Sequence, residues 1–241
     1  MSGPYAEGVT IDWTAHDAVL FDLDGVLTPT ADVHLRAWTA MFDDYLAGEP
    51  GQSPFTEADY HAHVDGKPRF EGVATFLASR GIEPADDLVQ RLGEAKNHVF
   101  VRVLETEGVD AYPGSVAFLD ELARRGTAVA VVSSSRNARA VLTAAGLIDR
   151  FEVIVDGAVA TERGIAGKPQ PDTFLDAADQ LGVPRERAIV VEDAVSGVQA
   201  GRAGDFGLVI GVDRGAGADV LAREGADLVV ADLAELLEDA A

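Results

Sequence analysis

From about residue 113 onward the chain alternates between two periodicities, and this alternation narrows the possible folds more than any other feature. Helical patterns at 115–125, 137–146, 171–181, 195–203 and 217–224 are interleaved with short apolar runs at 127–133, 151–155, 187–192, 206–212 and 227–230. Strand and helix in regular succession specify a parallel sheet, because each helix carries the chain back to the edge where the next strand begins. The strand-like runs are apolar throughout, as strands covered on both faces must be. A further run, Ala18-Val19-Leu20-Phe21, stands far upstream of the others. The expected fold is α/β, a doubly wound, mostly parallel sheet.

That first run ends abruptly in Asp22-Leu23-Asp24-Gly25. Ligands of open parallel sheets bind outside the carboxyl ends of the strands, so Asp22 and Asp24 fall where chemistry is usually done. Two acids crowded there repel each other unless a cation lies between them, and the pair reads as half of a Mg2+ site in which one carboxylate is a nucleophile. Three further segments carry polar residues at predicted strand ends. Val131-Val132 runs into Ser133-Ser134-Ser135-Arg136-Asn137, whose hydroxyls and backbone N–H groups precede a helix and make a phosphate cradle. Gly167-Lys168-Pro169 puts one lysine in a rigid turn, able to offset phosphoryl charge, and Ile189-Val190-Val191 ends in Glu192-Asp193, which can complete an oxygen shell for Mg2+. Taken singly, these are a turn, a helix cap and a solvated helix start. Their succession at strand ends is what points to one site.

Between the first strand and its return the pattern is helical. After Thr28-Pro29-Thr30, Val33, Ala37 and Met41 with Trp38 and Phe42 make an apolar helix face; helical spacing resumes at 71–79 and 86–105, and 48–60 reads as a loop. Residues 30–110 are therefore expected to form an all-helical insertion, with 1–29 and 111–241 making the α/β core and 1–16 a leading extension. Gly215-Ala216-Gly217 lacks the third glycine of a dinucleotide fingerprint and reads as a loop.

Composition removes several classes. The chain has 241 residues and no cysteine, which rules out thiol catalysis and disulfides and suggests a reducing compartment. The N-terminal residues include Glu7, Asp12 and Asp17 and resemble no signal peptide, and no run is long enough to span a membrane, so a cytoplasmic protein is expected. A net charge of −22 argues against nucleic acid and anionic membrane surfaces as partners. A small phosphate ester remains admissible because it feels local groups.

These motifs resemble those of the haloacid dehalogenase superfamily of phosphoryl-transfer enzymes over almost the whole chain. Asp22-Leu-Asp24-Gly, Ser133, Lys168 in Gly-Lys-Pro-x-Pro-Asp, and Glu192-Asp193 match its four motifs, and the helical insertion is placed like its cap domain. Within the superfamily the chain is most similar to the β-phosphoglucomutase group, through Asp22-Leu-Asp24-Gly-Val-Leu-Thr28-x-Thr30-x-x-x-His34-x-x-Ala-Trp38, Gly66-x-x-Arg69, Lys96-Asn97 and Ser133-x-Ser135-Arg136-Asn137. The resemblance implies a Mg2+-dependent phosphomutase with a phosphatase as the alternative, acting on a sugar phosphate and expected to be monomeric. It implies Asp22 as nucleophile and Asp24 as acid and base, with Mg2+ held by Asp22, the Asp24 carbonyl, Glu192 and Asp193. Ser133 and Lys168 would hold the transferring phosphate. Arg69, Ser135, Arg136 and Asn137 would hold the phosphate that stays on the sugar, with Thr30, His34, Gly66 and Lys96 also at the substrate. Trp38 is assigned to packing, and His61, His63 and His98 to the surface. Three positions depart from the pattern: Asp65 stands where the group has a lysine, Pro29 where it has an acid, and Arg136 where it has a lysine. The first leaves Lys67, two residues on, as the nearest cation.

Overall fold

A computed structural model describes residues 11–237 of the protein. Six parallel strands form one sheet: β1 (Ala18–Phe21), β2 (Ala128–Val132), β3 (Val153–Val155), β4 (Ala188–Glu192), β5 (Leu208–Val212) and β6 (Leu228–Val230), in the order β3-β2-β1-β4-β5-β6. Ala18 is in register with Ala128 on one side and Ala188 on the other. The order reverses at β1, and a crevice opens at the carboxyl end of the sheet where neighbouring crossovers part to opposite faces. The expected fold class holds, with each strand after β1 a residue or two shorter than the apolar run that marks it.

Alternate residues of the central strands serve two cores. Val19, Phe21, Val131, Ile189 and Val191 pack with Phe118 and Leu122 of α5 (Pro113–Arg125) and Val141 and Leu142 of α6 (Ala138–Ala144). Leu20, Ala130, Val132 and Val190 pack instead with Phe174 and Ala177 of α8 (Asp172–Leu181) and Ala200 of α9 (Val195–Ala203). Val209 and Val229 add a patch beneath Leu221 of α10 (Ala218–Glu224). Burial of both faces explains why these strands carry unbroken apolar sequence.

Four helices interrupt the sheet after β1: α1 (Thr30–Leu46), α2 (Glu57–His63), α3 (Arg69–Ser79) and α4 (Asp86–Glu107). They enclose a cluster of their own, in which Phe42 lies 5.4 Å from Trp38, 5.0 Å from Phe55 and 4.1 Å from Phe76, ring centre to ring centre. Trp38 is a packing residue, as expected. Val33, Ala37 and Phe100 turn the other way and join the core beneath the sheet. Where the chain leaves and re-enters the α/β unit, the Tyr112 N–H donates to the Leu27 carbonyl at 2.9 Å and Ser115 Oγ donates to the Val26 carbonyl at 2.7 Å.

Two elements depart from the sequence reading. The stretch read as a loop over 48–60 contains the start of α2, which opens with a reciprocal cap between Thr56 and Asp59. Between β3 and α8 there is a further short helix, α7 (Gly157–Arg163), capped by Asp156 and ended by Gly164. Consequently Lys168 does not sit at a strand end; it lies in the loop between α7 and α8 and reaches in from there. Residues 1–10 of the leading extension lie outside the described residues.

Candidate active site

Asp22 follows β1 directly, and its N–H donates to the Val191 carbonyl at 2.9 Å, fixing it beside the end of β4. Lys168 is 1% exposed, and its ammonium donates to Asp22 Oδ1 and Glu192 Oε1, both at 2.5 Å, and to the Val132 carbonyl at 2.9 Å. One lysine thus ties the ends of β1, β2 and β4 together. Burial works against its charge, but Asp22 and Glu192 outweigh that and hold its pKa above the ordinary lysine value. Glu192 is anchored at its other oxygen by the Ala194 N–H at 3.0 Å. Asp193 is different: it is buried, and no hydrogen bond or ion pair reaches its carboxylate among the described residues. Burial, then the neighbouring Asp65, Glu192, Asp22 and Asp24, push its pKa well up. Gly25, at φ +88°, leaves the room: a Cβ there would come within 1.9 Å of Asp193 Oδ2.

Asp22, Glu192 and Asp193 present oxygens that all lie within 4.8 Å of one another. Burial raises the Asp22 pKa too, and the fields of Glu192 and Asp24 add to it against the pull of Lys168. Carboxylates outnumber ammonium groups in this buried cluster, so a divalent cation would relieve the excess, and an all-oxygen donor set suits Mg2+. The residues present fit the metal the sequence implies.

Asp24 turns to other partners. Thr30 Oγ1 donates to its Oδ1, Thr28 and Thr30 share a 2.8 Å hydrogen bond, and Ser133 Oγ reaches its Oδ2 at a long 3.4 Å. His34 Nε2 stands 3.2 Å from Asp24 Oδ1 without an aligned hydrogen bond, while His34 Nδ1 is bonded to Lys96 Nζ. His34 also stacks on Phe100 at 4.2 Å, and the Lys96 ammonium, 3% exposed, lies 5.0 Å from the Trp38 ring centre. Burial brings Lys96 down to about 7, and burial with Lys96 lowers His34. Burial would raise Asp24, but His34, Thr30 and Lys96 prevail and hold it at about 2. Asp24 is therefore ionised, the state of a proton acceptor.

On the far side of the cleft, Arg69 at the start of α3 donates to Asn97 Oδ1 at 2.8 Å, and Asn137 Nδ2 donates to the same oxygen at 2.8 Å. The Ser135 N–H donates to Ser133 Oγ and the Asn137 N–H to Ser135 Oγ, each at 3.1 Å. Arg136 also lines the cleft, as do Gly66 and Lys67. The cleft joins Asp22, Asp24, Glu192 and Asp193 to His34, Arg69, Lys96, Ser135 and Asn137, so the predicted residues are brought together; Ser133 adjoins it through Asp24, and Thr30 and Lys168 stand behind it. Its free volume is about 60 Å3, below the roughly 300–1,000 Å3 of ordinary ligand sites, so the helical insertion sits close on the sheet.

Residues 16–205 match the haloacid dehalogenase-like hydrolase family. The chain belongs to that family. As a member of it, the chain is 50% identical over 239 residues to β-phosphoglucomutase of Mycobacterium bovis and of Mycobacterium tuberculosis, covering 91% of each chain. It is 33% identical to hexitol phosphatase A of Escherichia coli over 186 residues, 76% of this chain and 77% of the relative. Among solved structures it resembles a β-phosphoglucomutase from Clostridium difficile with a TM-score of 0.78 and 26% identity, covering 92% of this chain and 93% of that one. Among the described residues no helix is long and apolar enough to cross a membrane.

Sequence reasoning missed several participants. Asn97 bridges Arg69 to Asn137 and was legible only as part of Lys96-Asn97. Tyr60, buried and lining the cleft, lay in the stretch read as a loop. His61 is exposed, as expected, but its Nδ1 is 3.1 Å from Asp65 Oδ2, so the acid that replaces a family lysine is partnered by a histidine one helical turn earlier.

Proposed function

We propose that the protein is a β-phosphoglucomutase-type enzyme that interconverts β-D-glucose 1-phosphate and glucose 6-phosphate through the 1,6-bisphosphate. The observation that carries this reading is the likeness to the mycobacterial enzymes, half of all aligned residues over 91% of each chain. The cleft supports it, with polar groups for one phosphate near Asp22 and for a second near Arg69, as a bisphosphate turned end for end requires.

Asp22 Oδ attacks phosphorus, the bond from phosphorus to the sugar oxygen breaks, and an aspartyl phosphate remains on the enzyme. Asp24 takes the proton of the incoming sugar hydroxyl as that hydroxyl attacks the phosphorus of the aspartyl phosphate, and in the reverse direction returns it to the departing oxygen. Ser133 and Lys168 hold the transferring group, while Arg69 and Asn137 hold the phosphate that stays, Arg69 in the forked grip suited to two oxygens. Mg2+, held by Asp22, Asp193, the Asp24 carbonyl and Glu192, would supply charge neutralisation for the phosphoryl oxygens. The helical insertion acts as a cap that keeps water from the aspartyl phosphate.

A phosphatase of the same chemistry, in which water replaces the second hydroxyl, is the alternative, and the hexitol phosphatase relative favours it. The two are separated by supplying β-glucose 1-phosphate, Mg2+ and a trace of 1,6-bisphosphate, then measuring glucose 6-phosphate and inorganic phosphate in parallel. Glucose 6-phosphate without free phosphate is the expected result. Free phosphate alone would replace the mutase by the phosphatase.

A further inference from the structure

The loop that joins α2 to α3 carries Asp65, Gly66 and Pro68, and it meets the core beyond the carboxyl ends of the central strands β2 and β4. Two hydroxyls from opposite sides of the core reach its backbone. Ser134 Oγ, just past β2, donates to the Gly66 carbonyl at 2.7 Å, and Ser196 Oγ, in the first turn of α9, donates to the Asp65 carbonyl at 3.2 Å. The fit is close on both sides of these bonds. Gly66 has φ +69°, and a Cβ there would stand 2.1 Å from Ser196 Oγ; a Cβ on Gly167 would stand 2.6 Å from Pro68 Cγ. Successive carbonyls of one loop are thus pinned from β2 and from α9, and Arg69, the first residue of α3, follows at once.

We propose that Ser134 and Ser196 are positioning residues that clasp the 65–68 loop to the core, seating Arg69 opposite Asp22 and shutting water out of the phosphorylated site. The proposal rests on the phosphomutase reading and adds to it the determinant of how the aspartyl phosphate is shared. With the clasp made, the phosphoryl group passes to a sugar hydroxyl. With it open, a water gives its proton to Asp24 and forms the new bond to phosphorus, the bond to Asp22 Oδ breaks, and inorganic phosphate leaves. Neither serine touches the reacting atoms. A hydroxyl-to-carbonyl bond of this kind shifts a closed-to-open ratio by about 2- to 10-fold, and two acting on one loop by about tenfold or more.

The test compares wild type with Ser134→Ala, Ser196→Ala and the double variant. Amide hydrogen exchange over residues 64–72 is expected to speed up about tenfold in the double variant, with the strands protected as in wild type. The ratio of inorganic phosphate to glucose 6-phosphate is expected to rise by a similar factor. Steric logic supplies a second arm: Gly66→Ala alone opens the loop, and Ser196→Ala added to it restores part of the protection, because the 2.1 Å overlap is gone. Exchange that stays at the wild-type rate in the double variant overturns the clasp, and faster exchange with an unchanged product ratio overturns its role in excluding water. Should wild type form no glucose 6-phosphate, the mutase reading fails by itself, while the exchange measurements still decide whether the clasp exists.

Discussion

Replacing Lys168 with methionine isolates the electrostatic knot that holds three strand ends together. Methionine keeps an unbranched stem of similar size, so the packing penalty is under about 1.5 kcal/mol. What is lost is the one cation that, among the described residues, bonds Asp22 Oδ1 and Glu192 Oε1, along with the donor to the Val132 carbonyl. Removing one partner of a buried ion pair costs about 3–5 kcal/mol, which is a large share of the roughly 5–15 kcal/mol that keeps a domain folded. At about 2–4 °C per kcal/mol for a chain of this size, the midpoint of thermal unfolding falls by about 6–20 °C. Acidity changes the size of the effect, and its direction follows from the two ends of the pair. Lys168 has a raised pKa in the fold, so its contribution is complete at neutral pH and is lost only as pH climbs through that raised value. Asp22 is raised by burial, and without Lys168 it rises further, so the variant gains stability as the pH falls and this carboxyl takes up its proton. Unfolding followed by circular dichroism in a chelator is therefore expected to show the widest gap between variant and wild type at pH 8 and a narrower one at pH 5. A gap below about 1 kcal/mol at pH 8, or an equal gap at both, would refute the claim that this lysine compensates buried carboxylates.

Asp24→Asn is expected to bind sugar phosphate normally and to lose about 10²- to 10⁴-fold in kcat; ordinary turnover would remove Asp24 from proton transfer. Arg69→Ala is expected to raise KM about 10- to 100-fold, the worth of a charged hydrogen-bonding group to phosphate, and an unaltered KM would place the second phosphate elsewhere. Chelation is expected to abolish turnover, with recovery on adding Mg2+. Added Mg2+ is also expected to raise the unfolding temperature of wild type and not of Asp193→Asn, as measured by scanning calorimetry; an equal rise in both would clear Asp193 of metal binding.

The sheet and the site motifs were legible because each has a strong local signature. Doubly buried strands must be apolar throughout, and Asp22, Ser133 and Asp193 mark where three of those runs stop. The short helices were less so. Helix α2 is seven residues of mostly polar sequence with only Tyr60 buried, so it has no apolar face to read; its one signal was the Thr56-x-x-Asp59 cap. Helix α7 has no fully buried residue and packs on the core through Val159, and its marks were Asp156 before it and Gly164 after it. Lys168 was recognisable from its neighbours, but its hold on three strand ends was not, because it reaches across from a loop. The serines that meet the 65–68 loop lie 68 and 131 residues from the carbonyls they bind, and nothing local in Ser134 or Ser196 distinguishes them from a helix cap.

The bond from the Tyr112 N–H to the Leu27 carbonyl has a consequence for how this architecture can be rebuilt. It draws the outgoing and incoming chains together, so the two points at which the backbone crosses between the sheet and the helical unit nearly coincide. A segment attached in that way can be exchanged for another of different size without disturbing the strand pairing on either side. A transplant that kept Val26, Leu27, Tyr112 and Ser115, the core residues Val33, Ala37 and Phe100, and the Asp24 partners Thr30, His34 and Lys96 would leave the nucleophile and its acid in place and change only what is admitted to them.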